Sequence, residues 1–280
     1  SLVGYQNTVI PNGYQMITHT FENLSGEAMP LKDLAVKAVG GGRFSNSSFQ
    51  LIFFDNTGNP STVGADDTMK TFCKDAYDNL GDKNLIFCYN STAKAWYLYD
   101  DYSTKAYPMD EYPVVPGRAF NVKVSGFAQG LQTTSSGAVA AEGLDVVIPN
   151  GYQLLGNAMP TETKLKDLTV AAVGSGRFSN SSFQLIFFDN TGNPSTIGSD
   201  ETMKTFCKDA YDNLGTKNLI FCYNSTAKAW YLYDDYSTKA YPMNEYPIAA
   251  GRGFNVKVSG FAAGLKITIP SPLADEKAAE

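Results

Sequence analysis

Histidine is almost missing from this chain of 280 residues, with His19 the single instance. A lone imidazole excludes a metal centre built on paired histidines, and a catalytic relay would have to rest on that one residue. Tryptophan is nearly as scarce, with two residues, and cysteine is limited to four. No apolar stretch approaches the roughly eighteen residues needed for a helix that crosses a bilayer. Excess positive charge is lacking as well. The formal net charge is −6, which removes the basic footprint that a nucleic-acid partner requires. Charged residues make up 18% of the chain, a low share for a cytosolic protein.

What is present is apolar and aromatic. The apolar fraction is 43%, with 17 Tyr and 17 Phe, a composition that suits β-strands. The chain also repeats itself: SSFQLIFFDNTGNP runs from Ser47 to Pro60 and again, unchanged, from Ser181 to Pro194. At an offset of 134 residues, Leu31 to Ala128 aligns with Leu165 to Ala262, and 12 of the 98 pairs differ. Each copy has the size of a domain with its own core. The expected division is a first repeat over 1–131, a flexible linker over 132–142, a second repeat over 143–270 and a charged tail over 271–280. The linker rests on the small, polar run from Gln132 to Glu142. The chain opens on Ser1 and not on Met, which suits a secreted form whose signal peptide has been removed.

Within a copy, the alternation at Leu34, Val36 and Ala38 predicts a half-buried strand. Phe49 to Phe54 is apolar on both faces, the pattern of a central strand. Asp67 to Leu80 changes period, with Met69, Phe72, Cys73, Ala76 and Tyr77 spaced three and four apart, and predicts one amphipathic helix. Leu85 to Tyr89, Ala95 to Tyr99 and Phe120 to Ser125 read as further strands. Pro11, Asn12 and Gly13 form a turn, repeated at Pro149 to Gly151, which predicts a hairpin. Lys266 to Ile269 continue the second copy as an extra strand. The fold class is therefore mainly β: two tandem β-sandwich-like domains, each with one amphipathic helix.

The cysteines fall one pair per copy, Cys73 with Cys88 and Cys207 with Cys222. Helix rise and strand rise place the two sulfurs of a pair at similar heights on antiparallel neighbours. Closing a ring of about fifteen residues stabilises by roughly 3 kcal/mol in the loop-entropy picture. Buried thiols acting as small apolar groups are the alternative. No nucleophile elbow, phosphate-cradling glycine loop or zinc spacing is found, so no catalytic residue is expected and the chain does not read as an enzyme. Asp55, Asn56, Asp66 and Asp67, matched by Asp189, Asn190, Asp200 and Glu201, offer hard oxygen ligands for calcium; ordinary turn chemistry explains the same residues. Trp96 and Tyr102, with Trp230 and Tyr236, are candidates for a platform on which a glycan stacks, core packing being the other reading of them. Glycosylation sequons occur at Asn23, Asn46, Asn90, Asn180 and Asn224.

The opening Val3, Gly4 and Tyr5, the Pro-Asn-Gly-Tyr turn and the PGRAF segment at Pro116 to Phe120 resemble secreted repeat proteins of environmental Gram-negative bacteria. In these a VGY strand opens the unit and a PGxGF strand closes it. The second copy departs from that pattern: Val3 to Tyr5 has no clear counterpart before Ile148, Ala250 replaces Pro116, and Gly253 supplies the glycine that Ala119 lacks. The resemblance implies residence outside the cell or on its surface and no particular activity.

The functional expectation is a structural subunit of an extracellular filament or surface layer, its partners being copies of itself. Near-identical domains that meet head to tail form a heterologous contact, and such contacts propagate when repeated between chains. Leu2, Val3 and Tyr5 at one end, with Lys266, Ile267 and Ile269 at the other, are the strands expected to add to a neighbour's sheet. A tandem carbohydrate-binding or adhesin module, with glycans as partners, is the alternative.

Overall fold

The computed structural model describes residues 3–18, 28–42, 49–52, 71–72, 74, 85–90, 93–100, 107–114, 117–176, 183–186, 205–206, 208, 219–234 and 240–273. The chain is mainly β and its sheets are antiparallel. The first repeat contains β1 (Val3–Ile10), β2 (Gly13–Thr18), β3 (Met29–Pro30), β4 (Ala35–Ala38), β5 (Phe49–Ile52), β6 (Leu85–Asn90), β7 (Ala95–Asp100), β8 (Tyr107–Pro108), β9 (Pro113–Val114), β10 (Ala119–Val124) and β11 (Leu131–Ala138). The second contains β12 (Leu144–Ile148), β13 (Gly151–Gly156), β14 (Thr163–Lys164), β15 (Thr169–Ala172), β16 (Phe183–Ile186), β17 (Leu219–Asn224), β18 (Ala229–Asp234), β19 (Tyr241–Pro242), β20 (Pro247–Ile248), β21 (Gly253–Val258) and β22 (Leu265–Ile269).

Each repeat builds the same sheets. A three-stranded sheet has the order β1-β11-β4 in the first copy and β12-β22-β15 in the second. A six-stranded sheet has the order β2-β10-β5-β6-β7-β8, mirrored by β13-β21-β16-β17-β18-β19. Short ribbons, β3 with β9 and β14 with β20, complete them. Side chains from both larger sheets meet in one apolar cluster per copy. In the first, Ile10 and Leu131 join Trp96, Leu98, Val122 and Val124. The period of two explains the membership, because alternate residues of β7 and β10 turn to the same side. The expected central strand is internal, since β5 lies between β10 and β6.

Three expectations are corrected. The Pro-Asn-Gly turn does not make a hairpin: β1 pairs with β11 and β2 with β10, so the turn carries the chain from one sheet to the other. Asn12 holds that crossing, its Nδ2 donating to Phe127 O at 2.7 Å, and Asn150 does the same to Phe261 O at 2.7 Å. The stretch expected as a flexible linker is largely strand: β11 covers Leu131 to Ala138, with β1 on one side and β4 on the other. The assembly role expected of Lys266, Ile267 and Ile269 is closed off, because β22 is the middle strand of its sheet and both of its edges are paired. Taking the shared IPNGYQ as anchor, at an offset of 138, β12 occupies the place of Gln6 to Ile10, while Val3 to Tyr5 align with Ala141 to Gly143, which belong to no strand, so the second copy has no equivalent of the VGY segment. Of the expected helix from Asp67 to Leu80, Thr71, Phe72 and Lys74 are described and have helical backbone, as do Thr205, Phe206 and Lys208 in the second copy; the remainder lies outside the described residues.

The contact between the copies is not head to tail either. Ile17 bridges to Arg252, and Leu155, the counterpart of Ile17, bridges to Arg118, the counterpart of Arg252. Thr18 N donates to Gly251 O at 2.9 Å while Gly156 N donates to Gly117 O at 3.0 Å, the same exchange with the roles reversed. A contact in which i meets j′ and i′ meets j is isologous, and it places a local two-fold axis between the repeats. On that axis Thr18 meets its own counterpart, Gly156: a Cβ built there would lie 2.5 Å from Thr18 Cγ2. One of the two mates carries a side chain because there is room for only one.

Candidate functional site: the β1 edge of the first repeat

The two copies are nearly identical through their middle strands, so the places where they differ mark where their duties diverge. One such place is the wall formed by β1 and β11. Gln6 faces Ser135 and Thr8 faces Thr133 across the ladder. At the matching positions of the second copy, Leu144 faces Ile269 and Val146 faces Ile267. Ile267 and Ile269 are buried members of the second core, with Leu144 and Val146 packed against it. The first copy therefore replaces four aliphatic groups with an amide and three hydroxyls, all on the inward side.

The consequence is a pocket of about 400 Å³, open mouth included, between this polar wall and the apolar side chains of Ile17, Leu31, Leu34 and Val114. Its enclosed part has room for about one water molecule. Thr133 is only 3% exposed, and neither it nor Thr8 has a side-chain hydrogen-bond partner among the described residues. Thr18 differs, because its hydroxyl donates to Arg118 O at 2.7 Å and is engaged at the contact between the repeats. Hydroxyls turned into such a space without a protein partner give little adhesion to the strand that carries them.

The outward faces diverge in the opposite sense. In the second copy Asp145 on β12 accepts from Thr268 Oγ1 at 2.7 Å and pairs with Lys266 Nζ at 3.0 Å. The Thr268 hydrogen bond, aided by Lys266, holds the Asp145 carboxyl below the usual carboxylate range. In the first copy the same three positions are Asn7, Thr134 and Gln132, with Thr134 Oγ1 donating to Asn7 Oδ1 at 2.6 Å and no charge among them. Tyr5 and Val9 stand beside them at 71% and 55% exposure, too far out to belong to any core. Among the described residues β1 is thus an eight-residue edge strand paired on one side, without Pro and without a charged residue.

The other candidates are placed as follows. Trp96 and Trp230 are each 1% exposed and lie in the cores, so neither ring presents a face to a sugar. Tyr102 and Tyr236 lie outside the described residues, as do all eight calcium candidates, Asp55, Asn56, Asp66, Asp67, Asp189, Asn190, Asp200 and Glu201. Among the described residues no group of three or more His, Cys, Asp or Glu side chains is arranged to hold a metal ion. Cys88 and Cys222 are buried on β6 and β17, whereas Cys73 and Cys207 lie outside the described residues. No disulfide joins two of the described residues. Leu2 lies outside them too. Asp110 has a structural part: its Oδ1 accepts Trp96 N at 2.7 Å, and Asn244 Oδ1 accepts Trp230 N at 2.8 Å in the second copy, so the contact does not need the charge.

Reading the sequence alone missed Asn157, which is 2% exposed and donates to Thr161 O at 2.9 Å and to Ile248 O at 3.0 Å while its own N donates to Arg252 O at 3.0 Å. It braces the second copy where the two repeats meet. No protein-family model, curated protein or solved structure matches this chain.

Proposed function

We propose that the protein is a non-enzymatic structural subunit, resident outside the cell or on its surface, that assembles with copies of itself along the β1 edge. Each repeat is read as a β-sandwich formed by its three-stranded and six-stranded sheets, with the helix of residues 67–80 as a crossover. The observation that carries the reading is the side of β1 that no described strand pairs with: a long, charge-free row of backbone donors and acceptors flanked by exposed Tyr5 and Val9. Such an edge is a template for another strand, and natural proteins that avoid pairing blunt it with charge or proline. The second repeat has blunting of that kind on β12, where Asp145 and Lys266 form an ion pair. The mode of assembly differs from the head-to-tail stacking expected of tandem copies, because the two-fold contact between the repeats is already satisfied within the chain.

The test is light scattering of the full chain across a concentration series, beside the variant Val9→Lys. Growth of large species with concentration, suppressed by the added charge, is the expected outcome. A monodisperse monomer at high concentration, with Val9→Lys indistinguishable from it, would sink the proposal.

A further inference from the structure

We infer that β1 is an exchangeable strand: residues 3–9 leave their own β11, and the β1 of a second copy of this chain takes their place. The inference rests on the assembly reading above and names its mechanism.

Three observations lead to it. First, the inward contacts of β1 are weak where those of β12 are strong. Gln6 and Thr8 line a space with water-sized room beside Thr133 and Ser135, whereas Leu144 and Val146 are packed into an apolar core against Ile269 and Ile267. A strand held by aliphatic burial costs far more to lift than one held where Thr8 and Thr133 have hydroxyls that water satisfies equally well. Second, β12 is locked from outside its own repeat. A Cβ at Gly117 would lie 2.7 Å from Leu144 Cδ2 and 3.5 Å from Val146 Cγ2, so the first repeat rests against the side chains that anchor the strand. Third, the base of β1 is firm. Ile10 is fully buried, and Asn12 is bonded to the backbone of Phe127 at 2.7 Å. Opening therefore stops at a defined hinge, and the freed segment is Val3 to Val9.

The occupant of the vacated β11 edge follows from register. The pairs Gln6 with Ser135, Asn7 with Thr134 and Thr8 with Thr133 are re-formed without change when the incoming strand is the same strand of another copy. Exchange of an identical element recovers every native contact, so its equilibrium cost is small and the barrier is the opening step. Reciprocal exchange closes a dimer, and sequential exchange propagates an open chain.

The experiment mixes two full-length single variants, Asn7→Cys and Thr134→Cys. These positions are direct partners on the solvent face, their side chains already in contact at 2.6 Å. A disulfide between the two chains forms only when β1 of one lies beside β11 of the other, and in simple edge-to-edge pairing residue 7 lies beside another β1. The double variant Asn7→Cys/Thr134→Cys in one chain establishes that the geometry permits the bond, and the wild type sets the background from the native cysteines. The expected result is a mixed disulfide dimer, formed at least about tenfold more slowly when Gln6→Leu, Thr8→Val, Thr133→Ile and Ser135→Ile give the first repeat the wall of the second. If that background does not fold, Thr8→Val alone should slow formation in the same direction. Absence of the mixed dimer while the single-chain control closes would overturn exchange. If the protein still assembles in that case, edge-to-edge pairing stands and exchange alone falls; if it remains monomeric, both fall.

Discussion

Glu245 shows how a single replacement changes local electrostatics between copies that are otherwise alike. Its carboxylate accepts from Lys164 Nζ at 2.8 Å and from Lys166 Nζ at 2.5 Å. In the first copy Glu111 pairs, among the described residues, with Lys32 alone, because Pro30 stands where the second copy has Lys164. The hydrogen bonds from Lys164 and Lys166 lower the Glu245 pKa to about 2. A depressed carboxylate pKa stabilises the fold above the ordinary carboxylate range, and that contribution fades as the pH falls toward 2. All three groups are exposed, so added salt weakens the effect. A carboxyl titration by NMR should place the Glu245 midpoint near 2 and move it upward in Lys164→Ala. A midpoint near 4 in the unaltered protein would contradict the two-lysine arrangement. Backbone demands are equally local. Gly130 and Gly264 have φ of +85° and +87°, and a Cβ at either would lie 2.3 Å from the carbonyl oxygen of Ile10 or Ile148. Only glycine fits where the entry to β11 or β22 passes the end of β1 or β12.

Among the strands, legibility followed hydrophobic alternation. β4 and β10 could be read because apolar residues alternate with polar or small ones, and Val122 and Val124 are buried as that pattern requires, while the run that contains β5 was legible as a central strand because it is apolar at nearly every position. β11 could not be read, since Leu131 to Ala138 is LQTTSSGA and its inward Thr133 and Ser135 are as polar as its outward Thr134 and Ser136. A period of two carries no hydrophobic signal when both faces are polar. The clue lay in the second copy, where the same strand is LKITI and alternates cleanly. Extending the shared IPNGYQ backward at its own offset of 138, instead of 134, pairs Gln6 with Leu144 and Thr8 with Val146 and exposes the divergent wall. The tryptophans were ambiguous for the reverse reason: alternation put Trp96 and Tyr97 on opposite faces without saying which face was inside. The wall leads to an element-scale prediction. In hydrogen exchange under native conditions, the amides of residues 6 and 8 should exchange on the order of a hundredfold faster than those of Leu144 and Val146. Equal protection of the two strands would show that the polar wall does not loosen β1.

For the whole molecule, the decisive feature is the two-fold contact between the repeats, which no pattern within one copy announces. It depends on which ends of β2 and β13 approach each other, and sequence identity between copies is compatible with either a stacked or a two-fold arrangement. The pair at the axis offers a direct probe. Gly156→Thr sets two threonines against each other and should destabilise the chain by about 2 kcal/mol in denaturant unfolding. Adding Thr18→Gly should recover most of that loss, a coupling expected only for residues in contact. If the two changes are additive, the contact is not there. A chain whose repeats satisfy each other in this way leaves its outer edges for partners, and of the four edge strands of the three-stranded sheets, β1, β4, β12 and β15, only β1 is both long and free of charge.

The central claim, that copies of this chain join along β1, is met most directly by electron microscopy of the concentrated full-length protein. Extended filaments or sheets are the predicted image, absent when Val9→Lys is imaged at the same concentration. A field of dispersed single particles from the unaltered protein, or equal assemblies from Val9→Lys, would contradict it.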